Sequence, residues 1–370
     1  MKNKVMIYPF DIESAPLIRH NNLINEYDIV AAVSPNGWGF NGKDIGNVDS
    51  GELINLKISS DFDESLKNCD TVFFNEPSRN IDFNKFIFPH IMKAVNSLKN
   101  IICTIELEQK IINEISSICT KNNKLFKYFP NKDMDTKKPL SEKIYTIDVP
   151  VIFVVGLSER TNKFEIQLNL RENFKKMGYK VSQIGSRHYC ELFDFHSFPR
   201  FMYSTLITES EKIILFNYYI KSISIKENPD IIVIGIPGGT MPFNYEFTNR
   251  FGILAYEISQ AILPDVVALS LPYSNLSKDF FDLISKSYKY KFGYDIDCYN
   301  ISNSYFNLQG SQLARTPQYI TLDYKFIDEK KKIYTDINTP IYNILNSEDP
   351  EKMAEFIINK LQEYGKNQIV

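Results

Sequence analysis

The stretch from Val151 to Lys176 constrains this chain more than any other. It opens with Val151-Ile152-Phe153-Val154-Val155, an apolar run that reads as a buried strand, bounded by Pro150 and Gly156. A polar loop follows, and then a segment whose Phe164, Leu168, Leu170 and Phe174 predict a helix with one apolar side. Strand, glycine, polar loop, lysine and helix is the order of a phosphate-binding loop, in which backbone N–H groups and a helix N-terminus face an anion.

Around this unit the chain alternates strand-like and helix-like pieces. Before it come Val5-Met6-Ile7-Tyr8, Ile29 to Val33, Thr71 to Phe74 and Ile101 to Thr104, with helical spacing over 61–68 and 83–98. After it come Lys180 to Gly185, a helical pattern through Ile213 and Ile223, Asp230 to Gly235, and Pro264 to Leu271 ended by Pro272. Helices over 277–289 and 349–362 and strands near 295–301 and 319–322 complete the second half. Such alternation predicts an α/β protein of two domains: a Rossmann-like parallel sheet over 1–125, and a second, P-loop-like parallel sheet over 149–370. The segment 126–148, rich in Lys, Asn and Asp and carrying Pro130 and Pro139, reads as the linker. In such sheets ligands sit beyond the carboxyl ends of the strands. The Gly37-Trp38-Gly39 loop after the second strand therefore reads as a surface turn or as a binding loop. No G-x-G-x-x-G follows the first strand, which argues against a dinucleotide site there.

A net charge of −3 on 370 residues provides no basic field for nucleic acid and no polybasic membrane patch. No apolar run approaches the roughly 20 residues that span a bilayer. The start, MKNKVMIYPF, meets Asp11 and Glu13 at once, and is expected to be a first strand rather than a signal peptide. Five scattered cysteines without a C-x-x-C pair argue against a disulfide framework or a metal–sulfur site, so a cytoplasmic protein is expected.

The loop runs Gly156-Leu157-Ser158-Glu159-Arg160-Thr161-Asn162-Lys163-Phe164, with five residues between Gly156 and Asn162-Lys163. Further on, Ile234 is followed by Gly235-Ile236-Pro237-Gly238-Gly239. In both features this half resembles dethiobiotin synthetase and its relatives, whose loop reads G-x-x-x-x-x-G-K-T and whose central strand is followed by E-G-A-G-G. The resemblance implies a nucleotide site built from Gly156, Ser158, Thr161, Asn162, Lys163, Gly238 and Gly239, with Arg187 as a further anion contact. ATP or another nucleotide is the candidate ligand. Three departures limit the chemistry. Asn162 replaces a glycine that lets the backbone approach phosphate. Phe164 stands where Ser or Thr would hold Mg²⁺. Ile234 or Gly235 replaces the acidic residue of the second magnesium anchor. Glu165 or Asp230 could substitute, but nothing compels it. Mg²⁺ is therefore doubtful, and efficient hydrolysis is not expected.

Two of the four histidines fall in the stretch from Arg187 to Arg200. His188, Asp194 and His196 are weak catalytic candidates, with Cys190 as a thiol among them. The spacing matches no zinc signature, so no metal site is expected. The intervening phenylalanines favour a segment folded onto a core.

Ile7-Tyr8-Pro9-Phe10-Asp11, Leu17-Ile18-Arg19-His20, Val33 to Gly39, the Gly156–Lys163 loop and Pro237-Gly238-Gly239 together resemble a family of peptide maturation system proteins. That family is named for cassettes that make Cys-rich ribosomal peptide natural products. The resemblance implies an accessory role beside a precursor peptide and a radical SAM maturase, with no settled reaction. The leading expectation is an accessory protein that binds an anionic ligand at a degenerate P-loop. Its rivals are an ATP-dependent ligase or transferase that activates a carboxylate, and a non-catalytic scaffold for the precursor peptide. A homodimer is allowed by this reading but not required.

Overall fold

The computed structural model describes residues 2–129 and 138–367. The chain divides into two compact units. One comprises Met1–Lys132 with His188–Asp194, and the other Asp133–Arg187 with Phe195–Val370.

In the first unit six strands are β1 (Asn3–Tyr8), β2 (Tyr27–Val33), β3 (Ile58–Ser59), β4 (Thr71–Phe74), β5 (Asn100–Cys103) and β6 (Phe126–Tyr128). They form a parallel sheet in the order β3-β2-β1-β4-β5-β6. That is the Rossmann order, whose switch point falls between β1 and β4. One face carries a core of Met6, Tyr8, Val72, Phe74 and Ile101 under helices that supply Phe62, Leu66, Ile91, Val95, Ile115 and Cys119. Phe126–Tyr128, placed by sequence at the head of the linker, is instead the edge strand of this sheet. The middle of that predicted linker, 130–137, lies outside the described residues. Its later part is tied down in the second unit, where Tyr145 and the Asn217 amide exchange two hydrogen bonds.

The second unit has β7 (Val151–Gly156), β8 (Val181–Gly185), β9 (His196–Ser197), β10 (Ile231–Gly235), β11 (Val266–Tyr273), β12 (Cys298–Phe306), β13 (Tyr319–Thr321) and β14 (Ile341–Tyr342). The order is β13-β12-β11-β7-β10-β8-β9, with β14 also on β12. All pairs are parallel except β12 with β13, which departs from the all-parallel expectation at the edge. A parallel strand buried on both faces reads as a continuous apolar run, as 151–155 does. Its alternate residues go to opposite faces. Val151, Phe153 and Val155 meet Phe216, Ile220, Ile258 and Phe281, whereas Ile152 and Val154 meet Ile166, Leu170, Phe174, Met353 and Ile357. The helix Lys163–Lys176 thus faces the sheet through Ile166, Leu170 and Phe174; of the four residues expected on its apolar side, Leu170 and Phe174 take part, while Phe164 and Leu168 are buried outside that contact, and ten of its fourteen residues are buried. Leu271 does not end its strand at Pro272. β11 runs through to Tyr273 with a register shift at the proline, which lacks the N–H to continue the ladder.

Candidate functional site

β7 and β10 are parallel neighbours, so their carboxyl ends deliver Gly156 and Gly235 to the same edge of the sheet. From there two loops fold against each other. Thr240 donates its Oγ1 to the Gly156 carbonyl at 2.9 Å, and its N–H reaches the carbonyls of Gly156 and Leu157. A Cβ on Gly239 would lie 2.9 Å from the Ser158 Cα, so only glycine allows this approach.

Within the first loop the chain curls tightly. A Cβ on Gly156 would stand 2.6 Å from Thr161 Oγ1 and 2.7 Å from the Cδ of Lys163, whose stem lies back over the glycine. Ser158 and Thr161 are buried and bond within the loop, Ser158 Oγ to the Glu159 carbonyl and Thr161 Oγ1 to the Ser158 carbonyl. Ser270 on β11 donates to the Thr161 carbonyl and itself accepts from Asn300 Nδ2 at 2.8 Å. Asn162 sits at φ 58°, ψ 20°, the left-handed conformation that glycine would provide. Asparagine tolerates that region better than other side chains. The backbone geometry expected of glycine is therefore kept, and the Asn162 Oδ1 is buried without a hydrogen-bond partner.

Among the described residues, the backbone N–H groups of Ser158, Glu159, Thr161, Asn162 and Lys163 have no protein acceptor. A run of donors at a helix N-terminus is the kind of feature on which anions are held in other folds. The Lys163 side chain reaches across to the Gly238 carbonyl and is only 8% exposed. No carboxylate lies within ion-pair distance of it among the described residues. Desolvation lowers its pKa to about 8; Glu159 opposes that shift and Arg187 adds to it.

Arg187 enters from the end of β8, its guanidinium 5.7 Å from the centre of the Phe164 ring. The candidate cluster Gly156, Ser158, Thr161, Asn162, Lys163, Arg187, Gly238 and Gly239 is thus brought to one place. Three residues not singled out in the sequence join it. Gln167 bonds the Lys163 carbonyl at 3.0 Å and Ser186 at 3.3–3.4 Å. Arg160 lies 5.6 Å from the ring centre of Tyr319, which β13 carries. Gln167 had a signal, one helical turn beyond Lys163; Tyr319 had none, being 156 positions beyond Lys163.

The two positions where the resembled loop would anchor magnesium carry no ligand atom. Phe164 offers no ligand atom, and a Cβ on Gly235 would meet the Gln167 amide at 2.1 Å. Asp230, a suggested substitute, lies at the other end of β10, where its Oδ2 accepts from the Lys180 N–H at 2.7 Å. Glu165 points no clearer way: it is buried within the helix.

The histidine candidates are not brought together. His188 and Asp194 fall in the first unit, with His188 Nε2 at 4.0 Å from Glu76 and Asp194 bonded to Asn25. His196 belongs to the second unit and pairs with Glu227 at 2.5 Å. Between them Tyr189 packs edge-on to Phe73 of β4, and Cys190 and Phe193 are fully buried. The aromatic spacing signalled burial, and the segment serves the first unit's core. Among the described residues no group of three His, Cys, Asp or Glu has metal-ligand geometry. Trp38 is partly buried, with Arg79 over it and over Phe40 at 5.4 and 4.9 Å.

No family model matches the sequence, and no curated protein matches it. Among solved structures, the fold is similar to that of a DUF1611 family protein from Anabaena variabilis. The TM-score is 0.60 at 11% identity, over 97% of this chain and 100% of that one, which shows a shared fold and nothing finer. An amine dehydrogenase from Mycobacterium smegmatis matches over 50% of this chain and 47% of its own at 11% identity, with a TM-score of 0.26.

Proposed function

We propose that the second unit binds a phosphate-bearing or otherwise anionic ligand at the Gly156–Lys163 loop without hydrolysing it efficiently. In this reading the protein is a cytoplasmic accessory to the maturation of a ribosomal peptide, working beside a precursor peptide and a radical SAM maturase. The peptide setting rests on the sequence resemblance alone. The anion rests on one observation: the Lys163 ammonium is buried, and its hydrogen-bond partner is a neutral carbonyl. A buried charge without a counter-ion is costly, and a bound anion supplies the counter-ion. The free N–H groups of the loop point to the same chemistry.

The test is a thermal-shift screen of ATP, GTP and inorganic phosphate against the full chain, paired with Lys163→Ala. A ligand at a hundredfold excess over its dissociation constant adds about 2.7 kcal/mol to stability. A shift that Lys163→Ala removes supports the site, whereas an identical shift in the variant sinks it. ATP turnover that falls on Lys163→Ala would instead favour the ligase reading. For the setting, the mass of a co-expressed precursor peptide is compared with and without this protein; an unchanged product overturns the maturation role.

A further inference from the structure

We propose that the first unit holds a carboxylate, of a small organic acid or of a peptide C-terminus, on the guanidinium of Arg79, which the rings of Trp38 and Phe40 carry. This site belongs to the other unit from the Gly156–Lys163 loop and does not depend on the reading of that loop.

β2, β1 and β4 are neighbours in the sheet, and ligands of such sheets sit beyond the carboxyl ends of the strands where the order switches. The loop after β2 delivers Trp38 and Phe40, and the loop after β4 delivers Arg79. The guanidinium lies 5.4 Å from the Trp38 ring centre and 4.9 Å from that of Phe40, so the cluster bridges the end of β1. Phe10, which follows β1 and is fully buried, meets Phe40 edge-on at 6.3 Å and ties this platform to the core. Gly37 and Gly39, at φ 91° and 76°, hold the chain in the left-handed region on both sides of Trp38. No atom lies within 4 Å of a Cβ built on either, so backbone conformation rather than crowding calls for glycine there.

Arg79 is exposed, and among the described residues it makes no hydrogen bond and no ion pair. Its rings already hold it, so it loses little freedom on binding, and its paired N–H donors match the two oxygens of a carboxylate. The loop from Pro35 to Lys43 contains no acidic residue, and Lys43 too has no ion-pair partner among the described residues. At the base of the loop Ser34 is buried, and its Oγ has no hydrogen-bond partner.

Asp11 disfavours a phosphate in this place. In a dinucleotide-binding sheet the N–H groups beyond the first strand face a pyrophosphate. Here the fully buried Asp11 carboxylate takes such donors itself. Its Oδ1 accepts from the Glu13 N–H at 3.1 Å and from Ser14 Oγ at 3.4 Å, and its Oδ2 accepts from the Ser78 N–H at 2.6 Å. Ser78 directly precedes Arg79, so Asp11 also fixes the turn that carries the arginine. A polyanion would meet that carboxylate, whereas a single carboxylate group needs only Arg79.

Trp38 is the only tryptophan in the chain, so selectively excited tryptophan fluorescence reads this site. The full chain is titrated with phenylacetate and with acetylglycylalanine, each beside its amide, and with inorganic pyrophosphate. At least one acid is expected to give a saturable change that its amide does not, and the acid that does so identifies the source. Equal responses to acid and amide, or no saturable response to either acid, overturn the proposal. Arg79→Gln is expected to weaken binding of the acid by roughly tenfold or more, the scale of a lost charged hydrogen bond; affinity equal to wild type overturns it. The acid–amide comparison on wild type stands whatever the variant does to folding. Pyrophosphate that binds more tightly than both acids, and is lost in Arg79→Gln, overturns the carboxylate assignment. Lys163→Ala is expected to leave the titration unchanged, which separates failure here from failure of the phosphate-loop reading; acid binding that disappears in that variant overturns the placement at Arg79.

Discussion

Lys163→Met would separate a ligand-binding lysine from a structural one. Methionine keeps the aliphatic stem that lies over Gly156 and removes the buried charge. In the folded protein the ammonium is held at a pKa of about 8 against an ordinary 10.5, and that difference corresponds to about 3 kcal/mol. The sign follows from proton counting. Between pH 8 and 10.5 the unfolded chain holds the proton and the folded chain has lost it, so stability rises with pH across that window. Below pH 8 the full penalty is present. Substitution removes it and also removes the bond to the Gly238 carbonyl, which contributes about 1.5–3 kcal/mol. The ligand-free variant is therefore expected to be as stable as wild type at neutral pH, or up to about 2 kcal/mol more stable, while losing anion binding. Urea denaturation at several pH values measures this, with the wild-type-minus-variant difference as the readout. The difference isolates Lys163, because the buried Cys and Tyr groups, whose pKa values are raised, titrate alike in both proteins. A variant destabilised by more than 3 kcal/mol at neutral pH, with a pH profile parallel to wild type, would refute the reasoning.

Two further outcomes are expected. Gly235→Ala forces its methyl into the Gln167 amide, which is fully buried and bonded at both ends, so a loss of about 1–3 kcal/mol in urea denaturation is expected; wild-type stability would mean that Gln167 moves aside freely. His90 packs between Tyr8 and Phe62, and burial lowers its pKa. The folded state disfavours the imidazolium, so His90 lowers stability as pH falls below about 6.5, the unfolded value. His90→Leu is expected to flatten that acid limb, and an unchanged slope would count against it.

Local pattern was enough for the long central strands and for the helices that pack on them at 163–176 and 349–367, but the thirteen-residue helix Gln109–Lys121 went unread. Thr71–Phe74 is a strand from end to end as its β-rich run predicts, and 151–155 is one because a parallel strand buried on both faces must be apolar throughout. Short, half-exposed strands escaped as well. Phe126-Lys127-Tyr128 has one pleat of signal inside a polar stretch, and it becomes a strand only because β5 offers an open edge. The loop itself was visible, yet its meaning changed in three dimensions. As a letter Asn162 looked like an obstruction; its φ of 58° shows that it keeps the left-handed backbone conformation glycine would provide.

What periodicity and spacing determined is therefore the class of fold, the strand–loop–helix unit and the residues that line it, since these depend on neighbours within a few positions. Which distant residues meet them was decided by chain crossing alone. Lys163 finds Gly238 across 75 positions because β7 and β10 lie side by side. Arg187 reaches Phe164 because β8 follows on the far side of β10. His188 and His196, eight positions apart in sequence, part company because the segment between them is drawn into a different core. Burial and charge balance are properties of the assembled sheet, and no local rule carries them.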